Sequence, residues 1–319
     1  MAVQALTTTP TLAPEFPAKE YRKQFHIEMK KRNVFYQFAM KEPLSKRRGS
    51  TLQFRNVKTY TPNITPLTEG VPPAPLTPEV NEVLITIQQF GDYTTVSDLA
   101  SFTAYDNLVA IEVDKLTRLQ HEKIELLNIS KLKLASNVLY AENEAGVPAA
   151  GDDNITANHL LTSKDLRKAV RDLKKRNADP IYRNGKPYYV VVINPDSAFA
   201  LQDDKRWIDV ATYQQAEKIE NGEIGKLFGC IVVESPFPIS WGATGASGAE
   251  VQGAVMFGAY AYGNVELEGE SNVSVYANES GGPTDPLHQI RTVGVKIGGF
   301  GAGIVDQSQI VMIKHGVAA

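Results

Sequence analysis

Residues 188–193 are YYVVVI and residues 230–234 are CIVVE. Continuous apolar runs of this length, rich in β-branched side chains, predict strands that are buried on both faces of a sheet. Asn194-Pro195-Asp196 ends the first run, because proline cannot donate a hydrogen bond to a strand ladder. Asp196 is then predicted to cap a helix over residues 197–213. The whole stretch therefore predicts a strand–turn–helix–loop–strand unit within an α/β layer.

Further elements are predicted on both sides of this unit. Thr162 and Asp165 form a capping-box-like start for a helix that ends before Asp179-Pro180. Strands are predicted at 254–262, 272–276 and 310–314, with a glycine-rich strand pair at 293–304. The glycines of that pair predict either close backbone packing or a bulged strand.

A projecting hairpin is predicted in the N-terminal half. Residues 51–60 and 83–90 have the pattern of strands, and Gly91-Asp92 is expected to end the second one. The segment 61–78 between them contains six prolines, a density that forbids helix and favours a stiff, polyproline-like excursion. Because this hairpin has no core of its own, it is expected to pack on something else.

The longest predicted helix runs from Ser101 to about Leu134, since no proline or glycine occurs between residues 101 and 139. About 30 residues correspond to a length of roughly 45 Å. The apolar residues expected on one side of it are Leu108, Ile111, Leu116, Leu119, Ile124, Leu127 and Leu134.

The N-terminal segment has the features of an arm. Residues 1–14 lack periodicity, and an amphipathic helix over residues 17–31 would present Tyr21, Phe25 and Met29 on one stripe. Such a stripe near a flexible terminus needs a partner surface, which a neighbouring subunit would provide. Residues 1–60 hold 12 Lys/Arg against four acids, a net charge of +8, and the remainder is −11. This asymmetry favours contact between the arm and another copy or a polyanion, and a solvated basic face is an equally weighted alternative.

Composition limits the classes of protein. A chain of 319 residues predicts two domains, or one with large extensions. No apolar run approaches the ~18–20 residues that span a bilayer, and no secretory signal is recognisable, so no membrane partner is expected. The single cysteine, Cys230, lies in a predicted buried strand and is expected to be an inert small hydrophobe.

Motifs for catalysis are not found. The five histidines are far apart and have no nearby cysteine, so no metal site is predicted. Gly222-x-x-Gly225-Lys226 lacks the spacing of a phosphate-binding loop and is expected to be a turn between elements. Glu266, Glu268 and Glu270 alternate along one strand and are expected to face solvent. We therefore predict no catalytic, cofactor-binding or metal-ligating residues, and no cofactor.

Several local motifs carry a resemblance to a known family. They are LTEG (67–70), VVVINPD (190–196), a tryptophan in DDKRWID (203–209), AEKIENGEIGKLFG (216–229) and CIVVES (230–235). In this order they resemble the major capsid (coat) proteins of tailed bacteriophages, with the podovirus-type subgroup as the most similar. That family has the fold shared by tailed-phage and herpesvirus capsids.

The resemblance implies an α+β fold with five parts. They are an N-terminal arm (1–48), an extended hairpin loop (49–98), a peripheral domain with a long spine helix (99–144), an axial α/β domain (145–262), and return strands mainly of the peripheral domain (263–319). The family's scaffolding-like N-terminal region is not evident in this sequence.

The function implied is that of a major capsid protein, not an enzyme, that self-assembles into the icosahedral shell around the phage genome. Implied partners are further copies in hexamers and pentamers, portal, scaffolding and decoration proteins, and packaged DNA contacted without sequence specificity. The implied location is the virion capsid, after synthesis in the host cytoplasm.

Candidate site residues follow from the arm and the hairpin. Expected inter-subunit contacts are Tyr21, Phe25, Met29, Leu67, Glu69, Pro72 and Pro73. Expected charge contacts of the arm are Lys19, Arg22, Lys23, Lys30, Lys31 and Arg32. The alternative hypothesis is a soluble α/β enzyme in which segment 61–78 is a lid over a site near Asn194-Pro195-Asp196.

Overall fold

A computed structural model of the chain defines its fold. The residues that it describes are 33–57, 60, 62–67, 69–70, 72–99, 108–143, 145–183, 185–204, 223–268, 274–279 and 289–317. The α-helices in them are α1 (Val34–Phe38), α2 (Leu108–Leu132), α3 (Ser163–Lys175) and α4 (Pro195–Gln202). Short 3₁₀ turns lie at Asp152–Asn154, Ala246–Gly248 and Gln307–Gln309.

The strands of the described residues fall into two sheets and a hairpin. In chain order they are β1 (Met40–Leu44), β2 (Thr51–Val57), β3 (Val80–Thr86), β4 (Gln88–Ser97), β5 (Val138–Tyr140), β6 (Ile181–Arg183), β7 (Lys186–Ile193), β8 (Glu223–Leu227), β9 (Cys230–Glu234), β10 (Ile239–Gly242), β11 (Val251–Phe257), β12 (Tyr262–Leu267), β13 (Ser274–Glu279), β14 (Ile290–Ile304) and β15 (Ile310–Gly316). The fold is therefore α+β, as predicted.

The large sheet has eight strands, in the order β5-β15-β11-β7-β9-β8, with β6 on β7 and β10 on β11. The two apolar runs, residues 188–193 and 230–234, lie in its neighbouring parallel strands β7 and β9, with Val191 opposite Val232. Alternate residues of these strands enter cores on opposite faces: Val191 packs beneath α3 and α4, and Val192 packs beneath the C-terminal end of α2. The prediction of strands buried on both faces is confirmed.

The helices α3 and α4 begin at polar caps. In α3 the Asp165 carboxylate accepts from the Thr162 backbone N–H at 3.3 Å and from its hydroxyl at 2.6 Å, the capping box that the sequence predicted. At α4 the prediction of Asp196 as the cap is wrong. The cap is Asn194, whose side-chain oxygen accepts from the Ser197 N–H at 3.1 Å. Pro195 takes the first helical position, where a missing N–H costs nothing.

The small sheet is built on one long strand. β14 pairs with β4 and β13 along its N-terminal part and with β12 at its end, and β1 adds to β12 in parallel. The prediction of a strand pair at 293–304 is wrong, because these residues continue as a single strand past a shift of register between Ile297 and Phe300. This register shift is the bulged strand that the glycine pattern predicted as one of two alternatives.

Helix α2 packs against both sheets. Val113, Leu116 and Ile124 bury against the small sheet, whereas Ile129 and Leu132 enter the core beneath the large sheet. Its 25 residues correspond to about 37 Å. The predicted apolar side is only partly correct, since Ile111, Leu119 and Leu134 are exposed. The positions that replace them on the buried side are polar: Gln120, His121, Glu125 and Asn128.

The hairpin consists of β2 and β3, paired in antiparallel register from Thr51–Thr86 to Val57–Val80. Its base packs on the small sheet through Phe54, Ile85 and Val265. The second predicted strand does not end at Gly91-Asp92, because β3 ends at Thr86 and the chain enters the small sheet at Gln88 as β4, which continues through Gly91 and Asp92. The projecting hairpin is confirmed, and its base has a core within the same chain.

Two glycines of β14 allow the hairpin to approach. A Cβ at Gly301 would lie 2.8 Å from the Thr86 carbonyl oxygen, and one at Gly303 would lie 2.9 Å from the Ile85 side chain. Both contacts are closer than a carbon atom tolerates. Close backbone packing, the other alternative for these glycines, is therefore also present.

Two further boundaries differ from the predictions. The turn expected at Gly222-x-x-Gly225-Lys226 is wrong, because residues 223–227 form the edge strand β8 and the turn follows at Phe228-Gly229. The strand predicted at 254–262 is two strands, β11 in the large sheet and the first residue of β12 in the small sheet. The helix expected at 17–31 lies outside the described residues. Within the described ranges, none of the helices has the length and apolar character needed to cross a bilayer.

We expect Gly301→Ala to lower the free energy of unfolding by about 1–3 kcal/mol, because the new methyl group meets the Thr86 backbone. Gly294→Ala, in the same strand, is the matched control. Its Cβ would make an ordinary contact of 3.4 Å with the Tyr93 side chain, so stability should be unchanged or slightly raised. Urea unfolding of unassembled subunits measures both, and equal stabilities of the two variants would contradict the close approach.

Candidate inter-subunit surfaces

The described residues of the hairpin tip (residues 58–79) contribute nothing to the cores of their own chain. Every described residue from 60 to 79 is exposed, and none belongs to a helix or strand before β3 begins at Val80. Three large apolar side chains are strongly exposed: Ile64 at 93%, Leu67 at 73% and Leu76 at 61%. Exposed apolar side chains concentrated on one projection are typical of a surface that another molecule covers.

The structure brings the predicted loop residues together on this tip. Leu67, Glu69, Pro72 and Pro73 are all exposed. Ile64 and Leu76 were not among the predicted contacts, although both are apolar residues inside the proline-rich segment. The tip has few charged residues, namely Lys58, Glu69 and Glu79. It is therefore mainly apolar.

The predicted arm residues lie outside the described residues, which begin at Asn33. This applies to the apolar stripe and to the charge contacts, namely Tyr21, Phe25, Met29, Lys19, Arg22, Lys23, Lys30, Lys31 and Arg32. Their proposed contacts stay predictions.

The arm leaves the described structure at a fixed point on helix α2. The Asn33 side-chain amide donates to the His121 carbonyl oxygen at 3.1 Å, and the Phe35 backbone N–H donates to the Glu125 carboxyl group at 3.1 and 3.2 Å. The Tyr262 hydroxyl donates to the Phe35 carbonyl oxygen at 2.6 Å. These contacts hold α1 between α2 and the start of β12.

Glu125 makes this anchor sensitive to pH. Its side chain is fully buried, and this burial raises its pKa to about 8, although the backbone N–H groups of Phe35 and Tyr36 act in the opposite direction. At neutral pH the carboxyl group is therefore mainly protonated, and one oxygen still accepts the N–H. Neither residue type nor spacing indicated this role, because a buried glutamate on an otherwise charged helix has no local signature.

A second buried polar cluster lies at the end of β7, where the enzyme hypothesis placed its site. The Ser197 hydroxyl is 2.9 Å from His315 Nε2, and Asn194 bonds both Ser197 and Gln252. Ser197 is 2% exposed and His315 is 1% exposed. Desolvation lowers the pKa of His315 to about 4, so its ring is neutral at pH 7. The cluster joins α4, β11 and β15, and its side chains Asn194, Ser197, Gln252 and His315 are buried.

Other chemistry is limited in the described part of the chain. It contains no group of three or more His, Cys, Asp or Glu side chains that could hold a metal ion. A cleft of about 410 Å³ lies between the hairpin base and the C-terminal end of α2, and the one ionisable side chain in its lining is Lys131. Cys230 is buried, and its pKa is raised to about 12, so the thiol is an inert core group as predicted.

Comparison with known proteins identifies the class that this fold defines. The family described as phage capsid protein matches residues 79–313, well over half of the chain. The chain therefore belongs to the phage capsid protein family, and it is a structural protein of the shell that encloses the phage genome. No curated protein matches in sequence.

Solved capsid structures share the fold at low sequence identity. The Ralstonia phage GP4 capsid matches with a TM-score of 0.68 and 13% identity, over 90% of this chain and 92% of that one. The cyanophage Pam1 capsid asymmetric unit matches with a TM-score of 0.67 and 15% identity, over 86% of this chain and 87% of that one. The Helicobacter pylori bacteriophage KHP30 capsid matches with a TM-score of 0.65 and 13% identity, over 89% of this chain and 91% of that one. The predicted tailed-phage capsid fold is thereby confirmed, while the boundaries predicted for its five parts stay predictions.

The anchor at Glu125 predicts a pH dependence of stability. The unfolded carboxyl group loses its proton near pH 4.5, whereas the folded one keeps it to about pH 8. The free energy of unfolding should therefore fall as pH rises through this window, by on the order of 3–5 kcal/mol from this group. Glu125→Gln should remove that slope and be the more stable chain at pH 8.

Glu122→Gln is the matched control, since it removes an exposed carboxyl group from the same helix. It should keep the wild-type slope when unassembled subunits are unfolded in denaturant at pH 5, 6.5 and 8. A wild-type slope in Glu125→Gln would show that the buried carboxyl group titrates normally.

Proposed function

We propose that copies of this chain form the hexamers and pentamers of an icosahedral shell, and that each hairpin tip is buried on an adjacent copy. The observation that carries the proposal is that every described residue from 60 to 79 is exposed and lies outside the cores of its own chain, with Ile64 at 93% exposure. Burying one Ile or Leu side chain contributes about 1.5–3 kcal/mol, so three of them supply a contact on the order of 5–9 kcal/mol before ordering costs.

The tip is suited to this role because little conformational freedom is left to lose. Prolines at six positions between 61 and 78 restrict the backbone before any contact is made. Pro72 and Pro73 are proposed to hold the chain extended, while Leu67 enters an apolar site on the neighbour. Glu69 is proposed to lie at the rim, where a charge remains partly hydrated.

The arm is proposed to complete the contact between copies. Tyr21, Phe25 and Met29 would bury their stripe on a neighbouring copy or on helix α2. The six cations Lys19, Arg22, Lys23, Lys30, Lys31 and Arg32 would pair with the acidic surface of the next copy. The net charges of +8 for residues 1–60 and −11 for the remainder support this pairing.

Under the same proposal the protein is made in the host cytoplasm and resides in the virion capsid. Portal, scaffolding and decoration proteins are its further proposed partners. DNA would contact the arm through phosphates alone, without base recognition.

We propose a structural role without catalysis. The Ser197–His315 pair has hydrogen-bond geometry, but both side chains are buried, at 2% and 1% exposure. The hairpin that would serve as a lid has its base on the small sheet, whereas Asn194 ends a strand of the large sheet. These positions favour the shell subunit over the enzyme with a proline-rich lid.

The combined substitution Ile64→Ser, Leu67→Ser and Leu76→Ser should abolish shell formation without unfolding the subunit, because all three side chains are exposed in the single chain. Val147→Ser, at another exposed apolar position, is the matched control and should assemble normally. Electron microscopy counts shells, and urea unfolding checks the subunit. Normal shells from the triple variant would exclude the tip as the contact, as would normal shells after deletion of residues 62–78.

Assembly should also slow as salt rises, because the screening length falls from ~10 Å at 0.1 M to ~3 Å at 1 M. Replacing the six arm cations by Gln should reduce both the assembly rate in low salt and its salt dependence. Light scattering during assembly of empty shells gives both quantities. An unchanged rate and salt dependence would assign the arm charge to solvent or DNA instead.

A further inference from the structure

Helix α3 carries a continuous basic stripe on its outer face. Its apolar residues Leu166, Ala169, Val170 and Leu173 are buried against the large sheet. The opposite side carries Lys164, Arg167, Lys168, Arg171, Lys174 and Lys175. At 100° per residue these six positions span an arc of about 120°, along a helix roughly 20 Å long.

No carboxylate of the helix neutralises the C-terminal half of this stripe. Asp165 is buried in the capping box, and Asp172 pairs with Arg176 at 2.7 Å. Lys164 and Lys168 both pair with Glu142 at the N-terminal end.

The remaining four cations of the stripe form no ion pair within the described residues. Arg167 lies over the Phe228 ring, 5.8 Å from its centroid. Arg171, Lys174 and Lys175 are exposed and form no ion pair within the described part of the chain. Three cations at i, i+3 and i+4 thus stand together on a rigid element.

The composition of the stripe indicates the kind of partner. Protein interfaces have an apolar or aromatic centre and are depleted in lysine, whereas the stripe has no apolar residue between its cations. Surfaces that bind nucleic acid are strongly positive and make half or more of their hydrogen bonds to phosphate and sugar. The stripe therefore matches a phosphate backbone better than it matches the mainly apolar hairpin tip of another copy.

We propose that the α3 stripe binds the phosphate backbone of the enclosed nucleic acid, and thus that this face of the large sheet lines the inside of the shell. The proposal rests on the proposed shell function, since the shell brings DNA to this surface. Duplex DNA carries one charge per ~1.7 Å of its axis, so phosphates are available to all three cations in any register. No base needs to be read.

The test measures binding of a mixed-sequence DNA duplex to unassembled full-length subunits by fluorescence anisotropy, between 50 and 200 mM salt. The three contacts of the stripe predict a fall in wild-type affinity of about 40-fold over this range, in addition to the salt dependence that the arm contributes. The variant Arg171→Gln, Lys174→Gln, Lys175→Gln should bind at least about tenfold more weakly at 50 mM salt, with a clearly smaller salt slope.

The matched control is Lys115→Gln, Arg118→Gln, Lys131→Gln, which removes three exposed cations from helix α2 and should bind DNA like the wild type. Electron microscopy of shells formed by each variant tests the proposed function separately. The proposal is overturned if wild-type subunits do not bind the duplex or if both variants lose affinity equally. It is also overturned if the α3 variant binds normally but cannot assemble, because the stripe is then a contact between copies.

Discussion

The packing of helix α2 against two different sheets is the interaction on which the rest of the structure depends. Ile124 closes the core of the small sheet, and Ile129, little more than one turn further on, enters the core of the large sheet. A helix is stiff over this distance, so the two sheets are held at a fixed separation by covalent geometry and by burial at both ends. The buried polar positions of the same helix, Glu125 above all, then fix where the arm departs.

With this arrangement the subunit fills its own cores, but part of its apolar surface stays exposed. The apolar residues of β7, β9, β11 and β15 are buried on both faces of the large sheet. The hairpin base packs closely against Gly301 and Gly303 of β14. The hairpin tip is left outside these cores, with Ile64, Leu67 and Leu76 exposed. A shell subunit needs this division, because each copy must fold before its neighbours arrive and must still gain free energy when they do.

The sequence predicted best where one local rule determines the structure. Buried apolar runs located β7 and β9, a capping box located the start of α3, and proline density located the tip. It predicted less well where contacts with residues distant in the sequence determine the structure. The buried side of α2 is polar because it faces α1 and Asp92 of β4, with Gln120 donating to that carboxylate at 2.9 Å, and no periodicity within the helix reports this. Likewise, one apolar run at 254–262 crosses from one sheet to the other. The tip could be predicted from the sequence as a segment. Which of its side chains are exposed could be determined only from the structure.

Electron microscopy of the purified full-length chain at near-atomic resolution tests the central claim most directly. The account predicts closed shells in which Ile64, Leu67 and Leu76 of each copy are buried on an adjacent copy, while α2 keeps its contacts with both sheets. Small oligomers, or shells in which the three side chains remain in solvent, would contradict it.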